Sequence, residues 1–209
     1  MVTALEALHR LREGNRRFAS DSPASVSVTG QSQRSQLVTG QKPFAIILGC
    51  SDSRVPAEIV FDQGLGDLFV IRVAGNIVAP SQIGSVEFAA AKFGTRLVVV
   101  LGHSNCGAIV STIEELENPM NRKERNLRSI VDRIRPSVQT LLETELRHDH
   151  TELVAKAVRA NIRASAMHLR YGSQILEELI ENEGLVIVGA EYLLESGNVD
   201  FFEGLPQGF

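Results

Sequence analysis

The only two thiols in this 209-residue chain are Cys50 and Cys106, and each stands among polar residues that could share its chemistry. Cys50 opens the run Cys50-Ser51-Asp52-Ser53-Arg54, and Cys106 closes the run His103-Ser104-Asn105-Cys106. Two thiolates and one imidazole make the donor set of a catalytic zinc site, in which three protein ligands leave the fourth tetrahedral position to water, carboxylate or substrate. The His-x-x-Cys spacing lets one loop supply two donors, while Cys50 brings the third from another part of the chain. Asp52, two residues past Cys50, can take the fourth position or stand just outside it. Arg54 bears on that choice, because a guanidinium can grip the carboxylate in a charge-assisted fork, hold it off the metal and keep it ionised. A disulfide or a pair of inert buried thiols is the plainer alternative, but it leaves Asp52, Arg54 and His103 at these spacings without a role.

Donors of this kind need rigid elements behind them. Apolar runs at 44–49, 67–73, 96–102 and 185–190 read as buried strands, and helical patterns at 81–93, 106–116, 126–142, 151–171 and 173–181 lie between or beside them. That alternation predicts an α/β fold, a mainly parallel sheet flanked by helices. The strand at 44–49 runs into Cys50 and the strand at 96–102 runs into His103. All three donors therefore emerge at carboxyl ends of strands, where ligands gather in open parallel sheets. Upstream, Thr3 and Glu6 fit a capping box, and Leu5, Leu8 and Leu11 follow at helical spacing, so an amphipathic helix is expected over 3–19. Residues 20–36, rich in Ser, Thr, Gln and Gly and carrying Pro23 and Gly30, read as an extended arm. The stretch 192–202, with Ser196-Gly197-Asn198 as its turn, predicts an antiparallel edge hairpin. The expected organisation is one domain, with a helical arm over 1–40 and a zinc-binding core over 41–209.

Composition narrows the partners. A net charge of −4 gives no basic footprint for a phosphate backbone, so nucleic acid is not expected. No apolar run approaches the roughly 20 residues that span a bilayer, and the first residues mix charges into their apolar positions, unlike a secretory leader. A cytoplasmic protein with no membrane partner is the expectation. Other motifs are weaker. His148-Asp149-His150 lies in a polar stretch that reads as a solvated helix junction, and Gly64-Leu65-Gly66 lacks the third glycine of a dinucleotide fingerprint. The run from Gly102 to Cys106 imitates a nucleophile elbow but puts Cys106 where its last glycine belongs.

Cys50-x-Asp52-x-Arg54 followed by His103-x-x-Cys106 resembles the zinc signature of the β-class carbonic anhydrases. The similarity extends through Gln41-Lys42-Pro43, residues 69–76 and residues 84–89. The resemblance implies one Zn²⁺ per subunit on Cys50, His103 and Cys106, with Asp52 and Arg54 as a catalytic dyad and Asp52 a fourth ligand in a closed state. It also implies that Gln41 hydrogen-bonds bicarbonate, that Phe69 and Phe88 line an apolar CO₂ pocket near a dimer interface, and that Gly107 belongs with them in substrate binding. The arm would wrap a second copy in a homodimer or tetramer. The reaction implied is CO₂ + H₂O ⇌ HCO₃⁻ + H⁺, and it suits the donors: zinc lowers the pKa of its water to ~7, which generates hydroxide at neutral pH.

Two departures from the family pattern bear on regulation and on the pocket. A subset of the family binds inhibitory bicarbonate through Trp, Arg and Tyr. Arg72 and Tyr192 match two of these, but Ile47 stands at the Trp position and the chain contains no Trp. The subset without that site is therefore expected. Phe88 stands where a tyrosine is usual, which removes a hydroxyl from the pocket. Two rival readings share the donors: a hydrolase of carbonyl sulfide or carbon disulfide, and a non-catalytic zinc or redox sensor closed by Asp52.

Overall fold

The structure is a computed structural model that describes residues 2–22, 31–118 and 125–206. Its sheet is built from the apolar runs: β1 (Ala45–Gly49), β2 (Leu68–Arg72), β3 (Leu97–His103), β4 (Val186–Tyr192) and β5 (Val199–Glu203). The strand order is β2-β1-β3-β4-β5. Every pairing is parallel except that of β4 with β5, which is the expected edge hairpin. β1 and β3 are buried along their whole length, which is why their sequences are continuous apolar runs without alternation.

Helices α1 (Ala4–Ala19), α2 (Gln31–Leu37) and α3 (Ala57–Val60) come early, followed by α4 (Pro80–Phe93), α5 (Gly107–Glu117), α6 (Arg125–Leu142), α7 (His150–Tyr171) and α8 (Gln174–Glu183). Two apolar clusters form on opposite faces of the sheet. Ile46, Leu48, Val98 and Val100 pack with residues of α4 to α8. Ala45, Ile47, Val99 and Leu101 pack with α1 and α3. The alternation of neighbouring strand residues between the two clusters is the period of two that a pleated strand imposes.

α1 starts as its sequence predicts, with the Thr3 hydroxyl accepting from the Glu6 amide at 3.2 Å. Its apolar face, Ala4, Ala7, Leu8 and Leu11, is covered by the chain's own sheet and α3. Leu5 on the same helix remains 46% exposed. The extended reading of 20–36 is corrected in part: 31–37 form α2, while Pro23 and Gly30 lie outside the described residues. α3 and the short 3-10 turns at Ala74–Asn76 and Glu145–His148 had no periodicity to betray them, being a single turn each. The His148-Asp149-His150 junction is borne out, with the Asp149 side chain capping α7 through the Glu152 amide at 3.1 Å.

Asn15 ties α1 to the body. Its Nδ2 donates to the carbonyls of Val60 (3.1 Å) and Gly197 (2.8 Å), and its Oδ1 accepts from the Val199 amide (2.8 Å). Replacing this buried side chain, Asn15→Ala, strands several polar groups at once and is expected to lower unfolding free energy by about 2–4 kcal/mol in urea titrations.

Candidate metal centre

Chain order and strand order part company at β1: β2 lies on one side of it and β3 on the other. Such a reversal opens a crevice beyond the carboxyl ends of the two diverging strands. Gly49 at the end of β1 pairs with Leu101 near the end of β3, so the loops that follow them lie side by side. Cys50 continues from β1, and His103 is the last residue of β3. Asn105 then takes a left-handed conformation, φ 54°, which asparagine tolerates better than most residues. The reversal brings Cys106 to the N-cap position of α5.

The three donors expected from the sequence meet. Donor atoms of Cys50, His103 and Cys106 all lie within 4.8 Å of one another, and all three residues are buried. The sulfurs are 4.0 Å apart. That is far beyond the ~2.05 Å of a disulfide, and close to the ~3.8 Å edge of a tetrahedron with arms of about 2.3 Å to each sulfur. His103 Nδ1 sits 2.9 Å from the Ser104 carbonyl. A carbonyl can only accept, so Nδ1 donates to it, and in the neutral imidazole this leaves the lone pair on Nε2, the tautomer a metal requires. Nε2 is buried without a hydrogen-bond partner among the described residues. An orphaned imidazole nitrogen facing two thiols is costly in a bare protein and natural in a metal site. The residues therefore fit a zinc ion.

Around the donors stands a polar frame. Arg54 forms the expected fork, Nε donating to Asp52 Oδ1 at 2.9 Å and Nη2 to Oδ2 at 2.7 Å, while the Arg54 amide also donates to Oδ1 at 3.0 Å. This fork is the main cause that holds the Asp52 carboxyl well below the usual carboxylate range. Oδ2 stands 3.8 Å from His103 Nε2, beside the donor cluster. Of the thiols, Cys50 is pushed down because it accepts from Cys106, and Cys106 is pushed up as the donor in the same contact. Arg72, matched in sequence only to the inhibitory site, is here a brace: its Nε donates to the Cys50 carbonyl at 3.0 Å and its Nη2 to the Asp52 carbonyl at 2.6 Å. The His103 loop is pinned in turn, the Ser104 amide donating to the Tyr192 carbonyl and the Ser104 hydroxyl accepting from the Leu194 amide, each at 3.0 Å.

The remaining expected residues are placed more loosely. Phe69 and Phe88 are neighbours, ring centroids 6.2 Å apart, and both also touch Phe93. Phe88 is 52% exposed, an aromatic wall open to solvent within this chain. Gly107 begins α5 directly after Cys106, with nothing within 4 Å of where a Cβ would stand. Gln41 is exposed and lines a groove of about 400 Å³ with Arg34, Leu37, Val38, Leu65 and Gly66, a lining that includes none of the three donors. Three residues were given no role by the sequence. Gly75 donates its amide to Cys50 Sγ at 3.4 Å, and Asn161 and Ser165 bond to the turn containing it.

Comparison with known proteins agrees with this arrangement. A family model described as carbonic anhydrase matches residues 45–199. Carbonic anhydrase 2 of Mycobacterium tuberculosis (strain CDC 1551 / Oshkosh) is 39% identical over 187 residues, covering 90% of this chain and 87% of its own. The carbonic anhydrase of Mycolicibacterium smegmatis is 36% identical over 198 residues, covering 91% and 89%. Among solved structures, a tetrameric β-carbonic anhydrase of Sordaria macrospora superposes with a TM-score of 0.74 at 24% identity, over 93% of this chain and 96% of that one. The β-carbonic anhydrase of Coccomyxa, solved with acetazolamide, does so with a TM-score of 0.66 at 23% identity, over 93% and 86%. These two likenesses show the fold. The matched span holds both strand-end loops and the donors they carry, and the chain belongs to the β-carbonic anhydrase family.

Proposed function

We propose that this chain catalyses the reversible hydration of CO₂ to bicarbonate and a proton, with one Zn²⁺ per subunit held by Cys50, His103 and Cys106. The observation that carries the reading is the buried convergence of two thiols and an imidazole whose Nε2 has no hydrogen-bond partner among the described residues. Zn²⁺ there supplies a Lewis acid that brings the pKa of water near 7.

The rest of the chemistry belongs to side chains. Once the attacking water has lost one proton to solvent, Asp52 accepts its remaining O–H at a carboxylate oxygen, which turns an oxygen lone pair toward the carbon of CO₂. Arg54 keeps the carboxylate ionised and stops it from swinging. Because the fork and the Arg54 amide occupy both oxygens, the geometry favours the open state, with Asp52 outside the fourth position. Phe69 and Phe88 offer the apolar surface that an uncharged linear substrate needs, Gly107 leaves space beside Cys106, and Gln41 hydrogen-bonds the bicarbonate product. A homodimer or tetramer fits the exposed Phe88 and the apolar groove beside Gln41, and the relative from Sordaria is tetrameric. No described helix is long and apolar enough to cross a membrane, and we place the enzyme in the cytoplasm.

The inhibitory bicarbonate site is absent in this proposal. Ile47 is fully buried in β1, and Arg72 is committed to the Cys50 and Asp52 carbonyls. Stopped-flow CO₂ hydration by zinc-loaded protein, scanned from roughly pH 6.5 to 9, should rise with pH as water ionises near ~7. Bicarbonate should inhibit only as a product. Zinc-loaded protein that is inactive across the scan would overturn the function, and a second anion bound beside Arg72 would overturn the regulatory part.

A further inference from the structure

The 3-10 turn at Ala74–Asn76 is unusual in carrying two successive residues with positive φ, Gly75 at 69° and Asn76 at 43°. Glycine adopts this region freely, but a residue with a side chain does so at a cost and persists there only when its surroundings hold it. Gly75 also has no room for a side chain, since a Cβ would stand 2.8 Å from Ile134 Cδ1 and 3.1 Å from Ala108 Cβ. The turn delivers one amide to the site: Gly75 N–H donates to Cys50 Sγ at 3.4 Å.

What holds the turn comes from α7. Asn161 Nδ2 donates to the Gly75 carbonyl at 2.8 Å, and Ser165 Oγ donates to the Asn76 carbonyl at 3.0 Å. The two residues are one helical turn apart and are only 2% and 5% exposed. Their neighbours on the buried side of α7 are Leu153, Val154, Ala157, Val158, Ile162 and Ala166. Polar groups placed in such a face must be hydrogen-bonded to be tolerated, and here their partners are the carbonyls of the two left-handed residues, Gly75 and Asn76. Sulfur ligands are tuned by the N–H groups that point at them, because each one stabilises the thiolate and fixes its direction.

We propose that Asn161 and Ser165 are positioning residues of the metal centre, holding the 74–76 turn from α7 so that the Gly75 amide orients Cys50 as a ligand. The inference rests on the reading of Cys50, His103 and Cys106 as the zinc site. It assigns part of the site's quality to residues that touch neither the metal nor the substrate.

The test uses the full-length protein loaded with Co²⁺ or Zn²⁺. In Asn161→Ala, zinc release to an excess of a chromophoric chelator should be about ten- to hundredfold faster than in the unmodified protein, the usual cost of an outer-shell partner. The thiolate-to-cobalt charge-transfer band should shift as well. Ser165→Ala should move both readouts in the same direction by less, and Ser165→Thr, which keeps the hydroxyl, should restore them. Val154→Ala, elsewhere on α7, serves as the control for destabilisation alone and should leave metal release and spectrum unchanged. If Asn161→Ala and Ser165→Ala lower thermal stability but release metal like Val154→Ala with an unshifted band, the positioning role is overturned. A failure of the unmodified protein to give a tetrahedral cobalt-thiolate spectrum would instead overturn the zinc-site reading. Should Asn161→Ala not fold, Ser165→Ala with its threonine rescue decides the matter.

Discussion

Cys50→Ser is expected to leave the fold in place, empty the metal site and lower CO₂ hydration by roughly a thousandfold or more, the scale of losing a whole catalytic group. Serine matches cysteine in shape, but its hydroxyl does not ionise at neutral pH and supplies no thiolate. The remaining pair, Cys106 and His103, cannot close a tetrahedral set. Cys106→Ser and His103→Ala should do the same, and combining any two should add little, because the donors act as a unit. Metal content by elemental analysis, circular dichroism and stopped-flow turnover together check the claim. Undiminished activity in Cys50→Ser would return the cysteines to the status of inert buried thiols.

The second large effect belongs to Asp52. Asp52→Asn keeps the size of the side chain but replaces one acceptor oxygen by a donor, so the attacking water loses the group that orients it. A loss of about a hundred- to ten-thousandfold in kcat/KM is expected, the range for a positioned acid-base group, with zinc content unchanged. Arg54→Lys should lose less, since an ammonium can pair with Asp52 but cannot form its planar fork. The same fork fixes the sign of the pH response. The folded-state pKa of Asp52 is depressed by Arg54, so the stabilisation it provides is present above the unfolded value of about 3.9 and is lost as pH falls through the lower folded value. Between pH 6 and 9, roughly the working range, the carboxylate stays ionised. Any rise of activity there should persist with the same midpoint in Arg54→Lys. An Asp52→Asn protein with full zinc and full turnover would leave Asp52 without its role and reopen the sensor reading.

Much of the architecture was legible because it is written in local pattern. The strands at 45–49, 68–72 and 97–103 fall within a residue or so of the expected 44–49, 67–73 and 96–102. The continuous apolar runs of 45–49 and 97–103 are buried on both faces, whereas 68–72, at the sheet edge, is only partly buried. The capped start of α1 and the Asp149 cap of α7 were readable for the same reason, since a cap needs only a side chain and an amide a few residues on. Short elements were not readable. α3 spans one turn, and α2 stands where a polar, Gly- and Ser-rich composition suggested an extended arm. Arg72 was noticed, but its bracing contacts were not readable, because its partners are the carbonyls of Cys50 and Asp52 twenty or more positions away. Gly75, Asn161 and Ser165 gave only a faint signal, two polar residues one turn apart in an otherwise apolar helical face.

The sequence by itself determined the chemistry available: two thiols, an imidazole, and a carboxylate with its arginine, each at a strand end by virtue of the apolar run before it. Spacing along the chain sets what leaves a strand together, so Asp52 and Arg54 find each other within one loop, and His103 and Cys106 share another. Only the tertiary structure decided that the loops meet. Parallel pairing of β1 with β3 brings Cys50 to 4.0 Å from Cys106, across 56 positions of sequence. It also decided which nitrogen of His103 is free, through the Ser104 carbonyl, and which helix steadies the sulfur, through a bond between Asn161 and Gly75 that spans 86 positions. Contacts of that kind are chosen collectively, by the register and packing that bury the two apolar clusters on the faces of the sheet. No local pattern encodes them.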